Sequence, residues 1–259
     1  MRGFFRVDRR IVIAFVTTIV ISGAPVFSGI NHGLVAFFPF EGNAQDQSGN
    51  GNHGTEHGWI TYGAGAVNLA GLFDGVNDYV EVPRIIEGDF TVVFWVRTLA
   101  TGPNGTEWWQ GLGMVDAEVC GSPPGGDWGI ALLNGGHVQW GGAVTGVTSS
   151  TEVNDGAWYS VAVTRDSDLG EVEVFVNGTE EDTQAAGWVG PLTGPPWIGV
   201  ANNPCDVQFN RLWFPGDIDE LRFYERVLSP FEIWALSQDF VFFDDFESGD
   251  LTAWSSTVQ

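Results

Sequence analysis

The chain has no lysine. All ten of its basic residues are Arg, set against 33 Asp and Glu. A phosphate-binding Gly-x-x-x-x-Gly-Lys loop is therefore excluded. The formal net charge of -23 repels phosphate backbones and anionic membranes, so nucleic acid is not an expected partner. Cysteine is nearly absent too. Cys120 and Cys205 are the only two, both in polar Gly/Pro-rich stretches, and no nearby His or Cys completes a four-ligand zinc set. His53 and His57 stand four apart, but in a glycine-rich loop rather than on a helix. No Gly-x-Ser-x-Gly nucleophile turn occurs, internal repeats are missing, and long helical periodicities are scarce.

Glycine and short apolar runs are plentiful. The 36 Gly and 12 Pro fall between segments of four to eight residues rich in Val, Phe, Trp and Tyr, the spacing of turns in a many-stranded protein. Phe90, Val92, Phe94 and Val96 point to one face of a strand, and Thr91, Val93, Trp95 and Arg97 to the other. Tyr159, Val161 and Val163 repeat the alternation. So do Val172, Val174 and Val176, which lead into an Asn177-Gly178 turn. A less regular strand runs from Gly216 to Tyr224. One short helix is expected, with Ser229 as cap, Pro230 in the first turn and Glu232 completing a capping box. Ile233, Leu236 and Phe240 would dock it on the strands.

Arg2, Arg6, Arg9 and Arg10 precede an apolar run from Ile11 to Ile21, and Val26-Phe27-Ser28 offers a cleavage point before Gly29. This reads as a secretion signal over 1–28, the run being short for a membrane span. The alternative is an uncleaved anchor from Ile11 to Phe27. One domain follows over 29–240, then an acidic tail over 241–259. The expected location is secreted, cell-surface or periplasmic. In an oxidising compartment Cys120 and Cys205 read as one disulfide, worth about 4 kcal/mol for so long a loop.

Five stretches, in order, resemble the laminin-G-like branch of the concanavalin A-like lectin/glucanase superfamily. They are GLVAFFPFEGNAQDQSGNGNHGTEH (33–57), LFDGVNDYVEVP (72–83), DFTVVFWVR (89–97), VNDGAWYSVAVTRDSDLGEVEVFVNG (153–178) and FPGDIDELRFYERVLSPFEI (214–233). Many members carry two His where this chain has Tyr159 and Ser160. The resemblance implies an all-β jelly roll, two antiparallel sheets packed face to face, with one short C-terminal helical turn. The final stretch FFDDFESGDLTAWSSTVQ resembles a tail found on exported bacterial proteins.

Relatives of this fold often hold a structural calcium between the opening loop and the closing strand. By that resemblance Asp46, Asn52 and Asp219 are candidate ligands, calcium favouring mixed carboxylate and carbonyl oxygens. The competing reading is that Asp46 and Asn52 make Asx turns and Asp219 bonds a neighbouring backbone. A second acidic cluster comprises Asp116, Glu118 and Asp127, with Asp206 brought close by the disulfide. It reads as a ligand or calcium site, or as solvated loop charge. Trp108, Trp109, Trp128 and Trp213 lie in turn-rich segments, where flat rings stack on sugars beside hydroxyl-bonding acids. Equally, each could be a lid on the core. Retaining glucanases of the superfamily carry two Glu with an Asp between them on one strand, and such a pair must stand about 5 Å apart. This chain lacks that motif, Glu171-Val-Glu173 being the nearest approach. The expectation is a non-catalytic recognition module for a carbohydrate or glycosylated surface. The alternatives are an adhesive envelope protein that binds another protein, and a glycan-cleaving enzyme with an unrecognised carboxylate pair.

Overall fold

The structure, a computed structural model, describes residues 29–118, 126–142, 146–185, 189–203 and 213–238. The N-terminal segment 1–28, Cys120, Cys205, Asp206, Phe240 and the tail lie outside the described residues. In chain order the strands are β1 (Leu34–Phe38), β2 (Thr55–His57), β3 (Thr61–Ala64), β4 (Leu69–Asp74), β5 (Tyr79–Pro83), β6 (Phe90–Arg97), β7 (Leu112–Asp116) and β8 (Trp128–Leu133). Then come β9 (His137–Gly142), β10 (Gly146–Glu152), β11 (Tyr159–Asp166), β12 (Glu171–Val176), β13 (Thr179–Ala185), β14 (Trp197–Val200) and β15 (Pro215–Tyr224), followed by helix α1 (Pro230–Leu236). A 3-10 turn, Trp108–Gln110, precedes β7.

All strand pairs within the two sheets are antiparallel. One sheet has eight strands, ordered β13-β12-β11-β6-β15-β4-β3 with β1 also paired to β15; the other has seven, ordered β10-β9-β8-β7-β14-β5-β2. The fold is thus the two-sheet sandwich that the alternating segments imply. Phe90, Val92, Phe94 and Val96 of β6 meet Val80 and Val82 of β5, Ile130 and Leu132 of β8 and Ile198 and Val200 of β14 in one fully buried core. Removing these side chains from water is the main drive for folding, at about 1.5–3 kcal/mol for each large apolar side chain.

The outer face of the eight-stranded sheet carries a second apolar layer. Val93, Ala162, Phe175 and Tyr224 lie under Leu228 and the Ile233 and Leu236 side chains of α1. The helix starts where Ser229 accepts the Glu232 amide, while the Glu232 carboxylate accepts the Ser229 amide (2.8 Å). Arg226 pairs with the same carboxylate (2.6 Å), and Pro230 sits in the first turn. The Asn177-Gly178 turn forms as expected, both residues having positive φ (49° and 76°). The irregular register of β15 has a local cause: a bulge between Asp219 and Arg222, with Glu220 at φ 53°.

Two polar edge strands close one side of the sandwich. Glu181 on β13 accepts the Ser150 and Thr151 amides of β10, and Asp182 accepts that of Thr148. Carboxylates thus occupy edge N–H groups that would otherwise invite another chain. No helix among the described residues is long and apolar enough to cross a membrane.

Candidate functional site

The outer face of the seven-stranded sheet is built from a row of directly paired residues. Thr55 pairs with Glu81, Glu81 with Gly199, Gly199 with Asp116, Asp116 with Gly129 and Gly129 with Gly141. Their neighbours along each strand point inward: Val80 and Val82, Ile198 and Val200, Val115 and Ala117, Ile130 and Trp140 are all core residues. The row itself therefore points outward. Three of its six members are Gly, so this face has a trough where side chains would stand.

Trp108 fills one end of the trough. A Cβ on Gly141 would fall 1.8 Å from Trp108 Cδ1, and one on Gly129 would fall 2.4 Å from the indole. Only glycine at both positions admits the ring. The segment carrying Trp108 lies across β8, since Gly102, Gly105 and Gly111 all approach Leu132 or Leu133 within 3.0 Å of an added Cβ. Asn203 pins this segment, its Nδ2 donating to the Trp109 (2.8 Å) and Gly111 (3.1 Å) carbonyls. Asn202 stands over the other end, its Cβ 3.0 Å from where a Gly199 Cβ would be.

Asp116 lies between them on the floor, with no exposed surface. Its Oδ1 accepts the Glu118 amide (2.7 Å), while its Oδ2 has no hydrogen-bond partner. Burial pushes its pKa well above the usual carboxylate range. The negative charges of Glu118 and Asp127 push it further, against the lowering effect of the Glu118 amide. Burial thus favours the protonated form of Asp116 more than it would be favoured in an exposed carboxyl.

Beyond Gly199 the face is open and aromatic. The His57 ring stacks on Tyr79 at 4.2 Å with a 5° interplanar angle, and Tyr79 meets Trp213 at 5.2 Å and 58°. Trp213 is bridged to Gly113 of β7, which carries the row onto the sheet. His57 and Tyr79 are half-buried, and Glu81 lies 3.7 Å from His57 Nε2. Trp59, 87% exposed, follows at the same end, its amide donating to Asp78 Oδ1. A stacked ring row next to a carboxylate can take the apolar face of a sugar and bond its hydroxyls.

The sequence-predicted residues meet mixed ends. Asp116, Glu118 and Asp127 do come together, and Trp108, Trp109 and Trp213 share their face. Trp109 is 38% exposed, but Trp108 and Trp213 are almost wholly covered at 6% and 9%. Trp128 is a correction. It faces the inter-sheet core, packed on Phe90 at 5.2 Å, because Gly129 and not Trp128 occupies the outward position of β8. It therefore offers no face to a ligand. His57 and Tyr79 were missed, His57 having been placed in a glycine-rich loop and Tyr79 given no role. Their signal was the period-two placement of Tyr79 and Glu81 opposite Val80 and Val82.

Asp46 and Asn52 hold one loop together, and Asp219 serves a different segment. Asp46 Oδ1 accepts the Phe37 (2.9 Å) and Ser48 (2.8 Å) amides and Oδ2 accepts that of Asn52 (2.9 Å). Burial raises the Asp46 pKa, but these bonds outweigh it and leave the pKa lowered. Asn52 Nδ2 donates to the Val35 carbonyl (2.8 Å), so the opening loop is sewn to β1. Asp219 instead accepts the Val67 (2.9 Å) and Glu220 (2.8 Å) amides, holding the turn between β3 and β4. Every carboxylate oxygen of Asp46 and Asp219 thus already has a backbone donor. Among the described residues no three His, Cys, Asp or Glu stand together where they could hold a metal.

A family model described as the concanavalin A-like lectin/glucanases superfamily, laminin G type, matches residues 74–234. No curated protein matches the chain by sequence. Among solved structures, the binding domain of Paraclostridial Mosquitocidal Protein 1 aligns with TM-score 0.64 and 17% identity over 81% of this chain and 52% of that one. Domain 4 of AbnA, a GH43 extracellular arabinanase from Geobacillus stearothermophilus solved in complex with arabinotriose, aligns with TM-score 0.59 and 21% identity, covering 79% and 98%. The binding domain of botulinum neurotoxin serotype D/C gives 0.61 and 13%, covering 81% and 52%. The chain spans about half the length of the two toxin domains and nearly all of the arabinanase domain. At these identities the likeness is one of fold.

Proposed function

Because the chain belongs to the concanavalin A-like lectin/glucanases superfamily, we propose that it is an exported, non-catalytic recognition module that binds a neutral carbohydrate on the outer face of its seven-stranded sheet. The observation that carries this reading is the half-buried stacked pair His57 and Tyr79, backed by the tilted Trp213, with Glu81 beside it. Aromatic faces and a carboxylate acceptor are what a sugar ring needs: C–H groups on one side, donating hydroxyls around the rim. The charge of -23 favours an uncharged ligand over an anionic one. The arabinanase domain solved with arabinotriose supports the choice of ligand class by analogy of fold. Export is supported by the Arg-rich and then apolar N-terminal segment.

Affinity electrophoresis of the full chain through gels containing neutral polysaccharides tests the proposal. We expect retardation on at least one arabinan, xylan, glucan or mannan, weakened tenfold or more by Tyr79→Ala. Unretarded migration on all four would end the reading. So would retardation that Tyr79→Ala and Trp213→Ala both leave unchanged.

A further inference from the structure

The opposite face of the sandwich holds a second concavity. It is a cleft of about 490 Å³ on the outer surface of the eight-stranded sheet, next to the end of α1. Its size falls within the roughly 300–1,000 Å³ of small-molecule sites. Trp95, outward on β6, and Trp158, just before β11, line it. The backbone of Gly65 and Ala66 closes one side, Asn177 another, and Ser237 and Gln238 the helix end.

Each wall is held by contacts elsewhere. The Arg97 guanidinium stacks on Trp158 at 4.6 Å and is itself pinned by Asp217 (2.7 Å) and the Ala64 carbonyl (3.1 Å). Asp219, paired across strands with Trp95, holds the 65–68 turn through the Val67 amide, and its Oδ2 lies 2.5 Å from where a Gly65 Cβ would be. Asn177 adopts φ 49° and accepts the Ser160 amide through Oδ1 (3.0 Å), so its Nδ2 is directed by a fixed amide plane. Gly178 lets α1 press on this turn, since a Cβ there would lie 2.8 Å from Trp234 Cα. The lining residues are therefore preorganised, with Arg97 paired to Asp217 and Asp219 engaged by backbone amides.

We propose that this cleft is a second binding site, for a neutral saccharide, independent of the aromatic row on the other sheet. The half-buried Trp158 indole supplies stacking surface beside the edge of the largely covered Trp95, while Asn177 Nδ2 and the Gln238 amide supply hydrogen bonds for hydroxyls. With Arg97 committed to Asp217 and Trp158, no free charge in the lining favours an ionic ligand. A chain with sites on opposite faces can bridge two glycan strands, and on one strand array it gains avidity without any new contact.

The test is 19F NMR of the full chain labelled with 5-fluorotryptophan, with Trp95 and Trp158 assigned by single Trp→Phe variants. The probes are arabinotriose, xylotriose, cellotriose and maltotriose. At least one should move the Trp95 and Trp158 signals together and saturably. Trp158→Ala should weaken the Trp95 titration at least tenfold. Gln238→Trp, which fills the cleft from its exposed helix end, should do the same without disturbing the core. Tyr79→Ala, on the other face, should leave it intact. The proposal is overturned if none of the four sugars moves either signal, or if the Trp95 titration survives both Trp158→Ala and Gln238→Trp. Loss of the Trp95 titration in Tyr79→Ala would likewise overturn it, by showing one site and not two. Because the two faces are read by different residues, this site and the one proposed above can fail separately.

Discussion

The contribution of Asp219 to stability is expected to fall as pH rises from about 4 to about 7, and Asp219→Asn should remove that contribution. Burial raises the Asp219 pKa from the ordinary 3.8 to about 7, with the Val67 amide opposing and the Glu220 charge adding to the rise. Between those two values the folded chain keeps a proton that the unfolded chain has released. Stability contributed by the neutral acid is therefore complete below pH 4 and is lost as pH climbs to about 7. At about 1.4 kcal/mol per pH unit, the loss from this one residue reaches at most about 4 kcal/mol. An Asn in the same place does not titrate, but its amide nitrogen would face the Val67 or Glu220 N–H, a mismatch worth about 1–3 kcal/mol. At pH 5 the variant should be clearly the less stable, and at pH 8 the gap should close or reverse. Urea unfolding followed by tryptophan fluorescence from pH 4 to 8 gives both curves, and their difference cancels the other carboxylates. A difference that does not change across this range would refute the reasoning.

Asp116→Asn should stabilise the chain at pH 8 relative to wild type and lose that advantage as pH falls, since burial raises this acid as well; pH-resolved denaturation measures it. Gly141→Ala should cost about 1–3 kcal/mol, because the new methyl collides with Trp108, and a red-shifted emission would report the displaced indole. Asp46→Ala strips the acceptor from three amides and should cost about 3 kcal/mol at pH 7. With its pKa lowered, that loss should shrink as the medium is made acid enough to protonate Asp46 in wild type. Thermal midpoints in excess calcium and in chelator should coincide, the oxygens of Asp46 and Asp219 being already engaged; a rise of several degrees with calcium would contradict this.

The strands that build the shared core were readable where Val or Phe recurs at every second position. Val172, Val174 and Val176 alternate with Glu171 and Glu173, and the Ser229 cap and Asn177-Gly178 turn carry local chemistry that needs no tertiary context. The reading failed in β8, where large apolar residues do not alternate with polar ones. In Trp-Gly-Ile-Ala-Leu-Leu of β8 every residue is buried, since the 102–111 segment lies over its outer face, so alternation could not tell Trp128 in from Gly129 out. Strands β10 and β13 are almost wholly polar, and carboxylate-to-amide bonds between the sheets hold them in place of a hydrophobic pattern. The His57–Tyr79–Trp213 row joins residues more than 130 positions apart, through a register that no local window contains.

The glycine row across the seven-stranded sheet also defines an engineering target. Gly141, Gly129 and Gly199 leave a channel one side chain deep, and the Trp108 indole acts as a stopper in its far end. Trimming that single ring to Ala would open the Gly129–Gly141 end, while Asn202 still covers Gly199. The ring is buried, so the change would cost about 3–5 kcal/mol, although the backbone pairing beneath does not depend on the indole. Ligand reach at that end could then be tuned at position 108 alone.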